Sequence, residues 1–261
     1  MTDDASTSSA TGSGSATDSG SATGSGSATG SGSAAGRVVL IAGATSASGL
    51  AAARALASAG AWVVAVGRDA ARFDSLRSLN DRLSTMAVPG IRLEVCDLTN
   101  EAAVHELAER VHDAVGPVDG ILHLVGGWRG GGGLAGQSDE DYRFLERSFT
   151  ALRFVTRAFD ADLRASPSGR LAIVSSTAVA RPLAGGANYA AVKAASEAWT
   201  RALAQGFAKA ARDAGADLSA AAVVFRVKSL DGLEDAVAER FVGLWESEAS
   251  PLNDTVIPLQ G

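Results

Sequence analysis

A tyrosine and a lysine four residues apart, Tyr189 and Lys193, are the residues of this sequence with the clearest chemical meaning. On a helix, residues at i and i+4 share one face and lie one turn apart. An ammonium group beside a phenol favours the phenolate, so we expect Lys193 to lower the pKa of Tyr189 from its ordinary value near ~10. A tyrosine tuned in this way can transfer a proton to or from a substrate oxygen near neutral pH.

Two serines, Ser175 and Ser176, end an apolar run upstream of the tyrosine. A hydroxyl at the end of a strand can donate a hydrogen bond to a substrate carbonyl, and the spacing to Tyr189 favours Ser176. For either serine the alternative is a hydrogen bond to the backbone at the strand end. Ser176, Tyr189 and Lys193 are therefore the predicted catalytic residues.

A glycine-rich turn follows the first apolar run of the sequence. It contains Gly43, Thr45, Ser46, Ala47 and Gly49. The first glycine suits a tight turn, and the last lets a helix pack closely on a strand. Backbone N–H groups at the start of that helix would face a pyrophosphate, so the segment is a candidate cofactor-binding turn. An ordinary glycine-rich turn between a strand and a helix is the alternative.

The next apolar run ends in Gly67, Arg68 and Asp69. A site for NAD usually has a carboxylate here for the ribose hydroxyls, whereas an arginine accommodates the 2′-phosphate of NADP. Gly67 leaves room where the carboxylate would lie, so we predict a preference for NADP, with NAD possible. The alternative is a solvated Arg68 beside a helix-capping Asp69.

Apolar runs and helical patterns alternate from residue 37 onward, which predicts an α/β fold with a doubly wound parallel sheet, the Rossmann fold. The predicted strands cover residues 37–42, 61–66, 91–96, 120–125, 171–175, 218–227 and 256–259. Asn100 and Ser138 are expected to cap helices. Ligands of such sheets bind at the carboxyl ends of the strands, where the candidate residues lie.

Composition separates residues 1–36 from residues 37–261. The first segment is a low-complexity stretch of Ser, Gly, Ala, Thr and Asp with a six-residue repeat, and it predicts a disordered tail. The second is long enough for one catalytic domain. A net charge of −6 without a basic cluster argues against nucleic acid, and no apolar run is long enough for a membrane span. A single cysteine and three scattered histidines suggest no disulfide or metal site, and a cytoplasmic protein is the default expectation.

Together these motifs closely resemble those of the short-chain dehydrogenase/reductase family, in its compact form. The residues that carry the resemblance are Gly43-x-x-x-Ala47-x-Gly49, Asp97-Leu98, Ser176 and Tyr189-x-x-x-Lys193. The resemblance implies that Tyr189 is the general acid or base and that Ser176 positions the carbonyl. It also implies that Lys193 lowers the tyrosine pKa and binds the nicotinamide ribose, while Asp97, Leu98 and Gly126 contact the cofactor. For Asp97, a turn or capping role is the alternative. The implied reaction is the NADPH-dependent reduction of a small-molecule carbonyl to an alcohol, or the reverse.

The sequence also departs from that family. Ala47 replaces a glycine of the cofactor turn, and His123 lies where asparagines are usual and suggests a structural histidine. No asparagine lies near Ser148, where the family orders a water, so Ser148 is a candidate replacement, and a plain serine on the helix face is the alternative. The segment after residue 227 leads almost directly into a helix, which predicts a short substrate lid.

Two expectations follow for the surroundings of the site. Trp128 and Arg129, in a glycine-rich loop, either contact substrate or belong to a mobile surface loop. The resemblance further implies a homodimer or homotetramer through the two long helices, about 139–164 and 189–212. The departures keep open a second class of function, an NADP-binding sensor or interaction protein with little catalysis.

Overall fold

The computed structural model describes residues 33–85 and 89–260. Most of the predicted tail, residues 1–32, lies outside the described residues. Residues 33–36 form a turn that packs on the domain, because Ala34 is buried and the Gly36 N–H donates to the Gly60 carbonyl at 2.9 Å. The described part of the chain therefore has packed structure four residues before the predicted domain start at residue 37.

Seven parallel strands form one sheet, which confirms the predicted fold class. The strands are β1 (Val38–Ala42), β2 (Trp62–Gly67), β3 (Ile91–Val95), β4 (Gly120–His123), β5 (Arg170–Ser176), β6 (Ala221–Val227) and β7 (Thr255–Pro258). Their order is β3-β2-β1-β4-β5-β6-β7. The order reverses between β1 and β4, and at this point the carboxyl ends of the strands form a crevice.

Seven helices connect the strands within the described residues. They are α1 (Ala47–Ser58), α2 (Asp74–Ser84), α3 (Glu101–Val115), α4 (Asp139–Ala165), α5 (Ala187–Ala214), α6 (Glu234–Val242) and α7 (Ala249–Leu252). Ser46, Asn100 and Ser138 cap α1, α3 and α4, each accepting a hydrogen bond from a backbone N–H in the first turn. The predicted capping roles of Asn100 and Ser138 are thus confirmed.

Alternate residues of β1 face two separate apolar layers. Val39 and Ile41 pack in the layer that contains α1, α2 and α6, whereas Val38, Leu40 and Ala42 pack in the layer with α3, α4 and α5. Burial on both faces explains why the central strands are continuous apolar runs. The two apolar layers cover the faces of the sheet, so polar residues of a site can lie at the carboxyl ends of the strands.

Over residues 33–85 and 89–260, no helix combines the length and the apolar character needed to cross a membrane. The connection from β6 to α6 is confined to residues 228–233, so the predicted short lid is confirmed. The crevice above β4, β5 and β6 is consequently open to solvent on that side.

Candidate active site

A cleft of about 1070 Å³ lies at the carboxyl ends of β1, β4, β5 and β6. The predicted site residues that line it are Ser46, Gly126, Ser176, Tyr189 and Lys193. The other predicted cofactor residues, Gly43, Thr45, Ala47, Gly49, Arg68, Asp97 and Leu98, are not part of this lining. The fold therefore brings the three predicted catalytic residues together with one end of the predicted cofactor turn.

Steric constraints explain both glycines of the turn after β1. Gly43 has a φ of 90°, and an added Cβ would lie 3.0 Å from the backbone nitrogen of Val125. At Gly49 an added Cβ would lie 2.4 Å from the Ala44 carbonyl oxygen. A side chain at either position would push the turn away from the crevice, so both residues must be glycine for α1 to begin where it does.

The start of α1 suits an anion. The Ser46 hydroxyl accepts a hydrogen bond from the Gly49 N–H at 3.1 Å and donates one to the Gly43 carbonyl at 3.1 Å. The first turn of α1 has no acidic residue, and Ser46 and Ser48 line the cleft. Ala47, the residue that replaces a family glycine, is exposed at this turn. A helix N-terminus with this composition fits the pyrophosphate of a dinucleotide.

Gly67 lacks the free space beside it that the sequence analysis predicted. An added Cβ at this position would lie 2.7 Å from Cγ2 of Thr45 and 3.1 Å from the Phe73 ring. The room predicted for a carboxylate is filled by these side chains, because the turn after β1 packs against the end of β2. Arg68 is exposed, and Asp69 caps the next turn by accepting the Ala71 N–H at 2.9 Å.

Asp97 and Leu98 follow β3 and have structural contacts of their own. The Asp97 carboxylate accepts hydrogen bonds from the N–H of Thr99 at 3.0 Å and from its hydroxyl at 2.7 Å. These bonds hold the pKa of Asp97 below its ordinary value. Leu98 is buried in the core. The structure thus gives Asp97 the turn role that was the alternative, and contact of Asp97 with the cofactor stays a prediction.

The two serines at the end of β5 have different partners. The Ser175 hydroxyl donates to Oε1 of Glu197 at 2.6 Å inside the protein. Ser176 lines the cleft, and its hydroxyl oxygen accepts the N–H of Ala178 at 3.1 Å. The Ser176 hydroxyl proton is free of that bond and can be donated to a ligand. The geometry supports the choice of Ser176 over Ser175.

The pKa of Tyr189 shifts in the direction opposite to the sequence expectation. Burial raises the pKa of the phenol above 10.0, and the neighbouring Ser176 hydroxyl offsets only part of that increase. Removal of the phenol from water penalises the phenolate, so the protonated form predominates at neutral pH. The prediction that Lys193 lowers this pKa is not met in this structure.

The position of Lys193 explains that result. Its Nζ atom lies 5.8 Å from the centroid of the Tyr189 ring and donates to the Val174 carbonyl at 2.8 Å. Burial of the ammonium group lowers its own pKa to about 8, and the carboxylate of Glu197 acts against that decrease. An added Cβ at Gly126 would lie 3.6 Å from this Nζ, so the loop after β4 passes directly over the lysine.

The family model of the short chain dehydrogenases matches residues 37–211, which include every one of these residues. The chain belongs to the short chain dehydrogenase family. It is thereby an NAD(P)-dependent oxidoreductase. Comparison with curated proteins gives no match.

Solved structures of short-chain dehydrogenases have the same fold. A Pseudomonas syringae protein assigned to the short chain dehydrogenases is 24% identical with a TM-score of 0.76, covering 88% of this chain and 97% of its own. A metagenomic short-chain oxidoreductase in complex with NADP is 24% identical with a TM-score of 0.73, covering 88% and 99%. An NAD⁺-bound xylitol dehydrogenase is 17% identical with a TM-score of 0.72, covering 86% and 98%.

This short-chain dehydrogenase has a histidine in the floor of the cleft. His123 is buried, and its Nε2 lies 3.1 Å from the Ser148 carbonyl oxygen, which requires a proton on that nitrogen. Its Nδ1 is then an acceptor, and it has no hydrogen-bond partner among the described residues. The Ser148 hydroxyl was the candidate to hold a water. It instead donates its proton to the Leu145 carbonyl of the same helix at 2.7 Å.

His123 should make the protein sensitive to acid. Burial lowers the pKa of His123 from 6.5 to about 4, so between these pH values the unfolded chain binds the proton more tightly than the folded protein. The free energy of unfolding should therefore decrease as the pH falls through that window. Between pH 7 and pH 4, the free energy of unfolding of the parent should decrease by on the order of 3 kcal/mol more than that of His123→Gln. Urea unfolding across this pH range measures the difference.

The matched control is His105→Gln, which replaces an exposed histidine of α3. It should leave the pH dependence of unfolding as it is in the parent protein. Equal acid sensitivity in the parent and in His123→Gln would contradict the assignment of that sensitivity to the buried imidazole.

The glycine-rich loop after β4 is tied to the segment before α5. The Gly131 N–H donates to the Gly185 carbonyl at 2.7 Å, and Gln137 Nε2 donates to the same oxygen at 3.0 Å. Gln137 Oε1 accepts the N–H of Asn188 at 3.1 Å, beside Tyr189. The motif comparison did not single out Gln137, because its role depends on two segments that meet only in the folded chain.

Trp128 and Arg129 have separate environments in this loop. Trp128 lines the cleft and is 62% exposed. The Arg129 guanidinium lies 3.9 Å from the centroid of the Phe144 ring, and its Nε is 3.9 Å from an Asp141 oxygen. The structure therefore has Trp128 in the wall of the cleft, whereas Arg129 fixes the loop to α4.

Proposed function

We propose that this short-chain dehydrogenase catalyses the NADPH-dependent reduction of a small-molecule ketone or aldehyde to an alcohol, or the reverse reaction. The observation that carries the proposal is the cleft that Ser176, Tyr189 and Lys193 share beside the N-terminus of α1, whose first turn has no acidic residue. The raised pKa of the Tyr189 phenol supports its use as a proton donor, because the acid form is present at neutral pH.

In this proposal Ser176 donates its hydroxyl proton in a hydrogen bond to the substrate carbonyl oxygen. The chemistry that NADPH would contribute when bound is a hydride for the carbonyl carbon. Tyr189 transfers its phenolic proton to the oxygen as negative charge develops there. Lys193, on the same face of α5 with its Nζ 5.8 Å from the centroid of the Tyr189 ring, would hold the nicotinamide ribose beside the phenol.

The cofactor would be held along the carboxyl ends of the sheet. The N–H groups at the start of α1, around Thr45, Ser46 and Ala47, would bind the pyrophosphate. Arg68 is free of ion pairs within the described part of the chain and would bind the 2′-phosphate. Gly126 and Lys193 would contact the nicotinamide ribose. Assembly as a homodimer or homotetramer stays a prediction of the resemblance.

Arg68→Asp should reverse the cofactor preference. An arginine attracts the 2′-phosphate of NADPH, whereas an aspartate repels it and accepts hydrogen bonds from the ribose hydroxyls of NADH. The expected result is a decrease of about 10- to 100-fold in kcat/KM for NADPH, the value of one charge-assisted hydrogen bond, with no decrease for NADH. Steady-state kinetics with both cofactors measures this change.

Arg72→Asp is the control, since it introduces the same charge change at an exposed residue of the following turn. It should alter the NADPH to NADH ratio far less than Arg68→Asp does. Equal use of both cofactors by the parent enzyme would contradict the proposed NADPH preference. Gly67→Asp is not a suitable test, because its Cβ would collide with Thr45.

A further inference from the structure

Among the residues that the structure describes, none of those lining the cleft has a carboxylate. Its charged side chains are Arg181, Lys193 and Lys228, and its histidine is the buried His123. Lys193 belongs to the proposed reaction. Arg181 and Lys228 are exposed, and neither forms an ion pair with any residue of the described ranges 33–85 and 89–260. In a protein with a net charge of −6, two unpaired cations in one cleft favour an anionic ligand there.

The sheet order separates these two cations from the phosphate-binding turn. That turn follows β1, whereas Arg181 follows β5, the second strand along from β1, and Lys228 follows β6, the third. Neighbouring strands lie ~4.8 Å apart, which places the ends of β5 and β6 roughly 10 and 14 Å from the end of β1. The pyrophosphate accordingly accounts for the start of α1 and leaves Arg181 and Lys228 for another anion.

Two exposed apolar side chains also line this cleft. Trp128 is 62% exposed and Leu183 is 77% exposed, and both line the cavity. Arg181 lies between Ser176 and Tyr189 in the sequence, two residues before Leu183. The segment that carries the reacting groups thus also carries one cation and one apolar contact.

We propose that the substrate of this enzyme is a carbonyl compound with an anionic group, a carboxylate or a phosphate, which Arg181 and Lys228 bind while its apolar body packs on Trp128 and Leu183. This inference rests on the proposed reductase function and specifies its substrate class. A guanidinium can bind either anion through two parallel hydrogen bonds, whereas Lys228 contributes a single point charge. Arg181 should therefore contribute more than Lys228 to the choice of substrate.

Matched pairs of substrates test the inference. The panel consists of aromatic keto acids with one to four carbons between the two groups, their methyl esters, and the corresponding keto phosphates. With NADPH at saturation, the parent enzyme should reduce the anionic member of a pair with a kcat/KM about 10- to 100-fold above that of the neutral ester. Arg181→Gln should lower kcat/KM for the acid by a similar factor and leave the ester unchanged. Preference for the phosphates or the carboxylates identifies which anion the site takes.

Arg201→Gln, which changes an exposed arginine of α5 outside the cleft lining, is the control and should alter neither substrate. The dissociation constant of NADPH, measured by fluorescence, should be the same in Arg181→Gln and the parent. A weaker NADPH complex in the variant would assign Arg181 to the cofactor and overturn the inference. Equal reduction of acid and ester by the parent would overturn it as well, while the reductase function would stand.

Absence of turnover for acids, phosphates and esters alike would count against the proposed function itself. The inference is then decided by calorimetric titration of the acids and esters into the NADP-loaded protein. Binding of an acid that is lost in Arg181→Gln would support the anionic site. No binding, or binding that is insensitive to Arg181→Gln, would overturn it.

Discussion

Tyr189→Phe should abolish most of the catalytic activity of this enzyme and leave its cofactor binding intact. General acid catalysis contributes about 10²- to 10⁴-fold, so kcat for carbonyl reduction should fall by that factor. The variant keeps the ring and loses only the hydroxyl, which is the proposed proton donor. Stopped-flow measurement of NADPH oxidation gives kcat, and fluorescence titration gives the dissociation constant of NADPH.

Tyr142→Phe is the matched control. Tyr142 is the other tyrosine of the chain, 43% exposed on α4, and its replacement should leave kcat unchanged. Full activity of Tyr189→Phe would show that the proposed mechanism is wrong. A parent protein that binds NADPH and turns over no carbonyl or alcohol in a broad panel would favour the cofactor-binding sensor over the enzyme.

The architecture was predictable because its signals are local. Continuous apolar runs such as residues 37–42 are typical of strands buried on both faces, and the structure has Val38–Ala42 as an interior strand of the sheet. Asn100 and Ser138 signal the starts of α3 and α4 through hydrogen bonds within one helical turn. The boundaries were less accurate, and β6 begins at Ala221 instead of residue 218.

The environment of the candidate site was harder to predict, because it depends on burial. The spacing of Tyr189 and Lys193 gives a shared helix face, and it does not give the amount of water around the phenol. Desolvation of the phenol dominates, the Ser176 hydroxyl offsets only part of it, and the pKa of Tyr189 is raised. Gly67 is a comparable case, since only the folded structure shows that Thr45 fills the space beside it.

Glu197 illustrates the same limit, because its hydrogen-bond partners come from two different strands. It is a buried carboxylate of α5, one turn after Lys193. It accepts a hydrogen bond from Ser175 of β5, and Arg226 of β6 donates to both of its oxygens, at 3.2 Å and 2.6 Å. The helix of Tyr189 is thereby fixed to the two strands whose carboxyl ends border the cleft.

Glu197→Gln should destabilise the protein by about 3 kcal/mol, since removal of one partner of a buried ion pair leaves the other charge without compensation. We expect the lower end of the usual range, because the Arg226 side chain retains 23% of its exposure. Urea unfolding at pH 7 measures the change in the free energy of unfolding. Asp213→Asn, which breaks the exposed pair of Lys209 and Asp213, is the control and should cost less than ~1 kcal/mol.

The double variant Glu197→Gln/Arg226→Met separates the charge from the packing. If the unpaired guanidinium causes the loss, removal of Arg226 should restore at least half of the lost stability, and the double-mutant cycle should give a coupling energy of ~1 kcal/mol or more. Additive losses would contradict this explanation. They would show that each side chain stabilises the protein through contacts of its own.

The single variant Glu197→Gln should also change the pH dependence of catalysis, because the Glu197 carboxylate favours the charged form of Lys193. Burial places the pKa of Lys193 at about 8, so its ammonium is lost as the pH rises through that value. Without the carboxylate this pKa should be lower still. The decline of kcat/KM for carbonyl reduction at alkaline pH should then begin at a lower pH in Glu197→Gln than in the parent. An unchanged pH profile together with the loss of stability would limit Glu197 to joining α5 to the sheet.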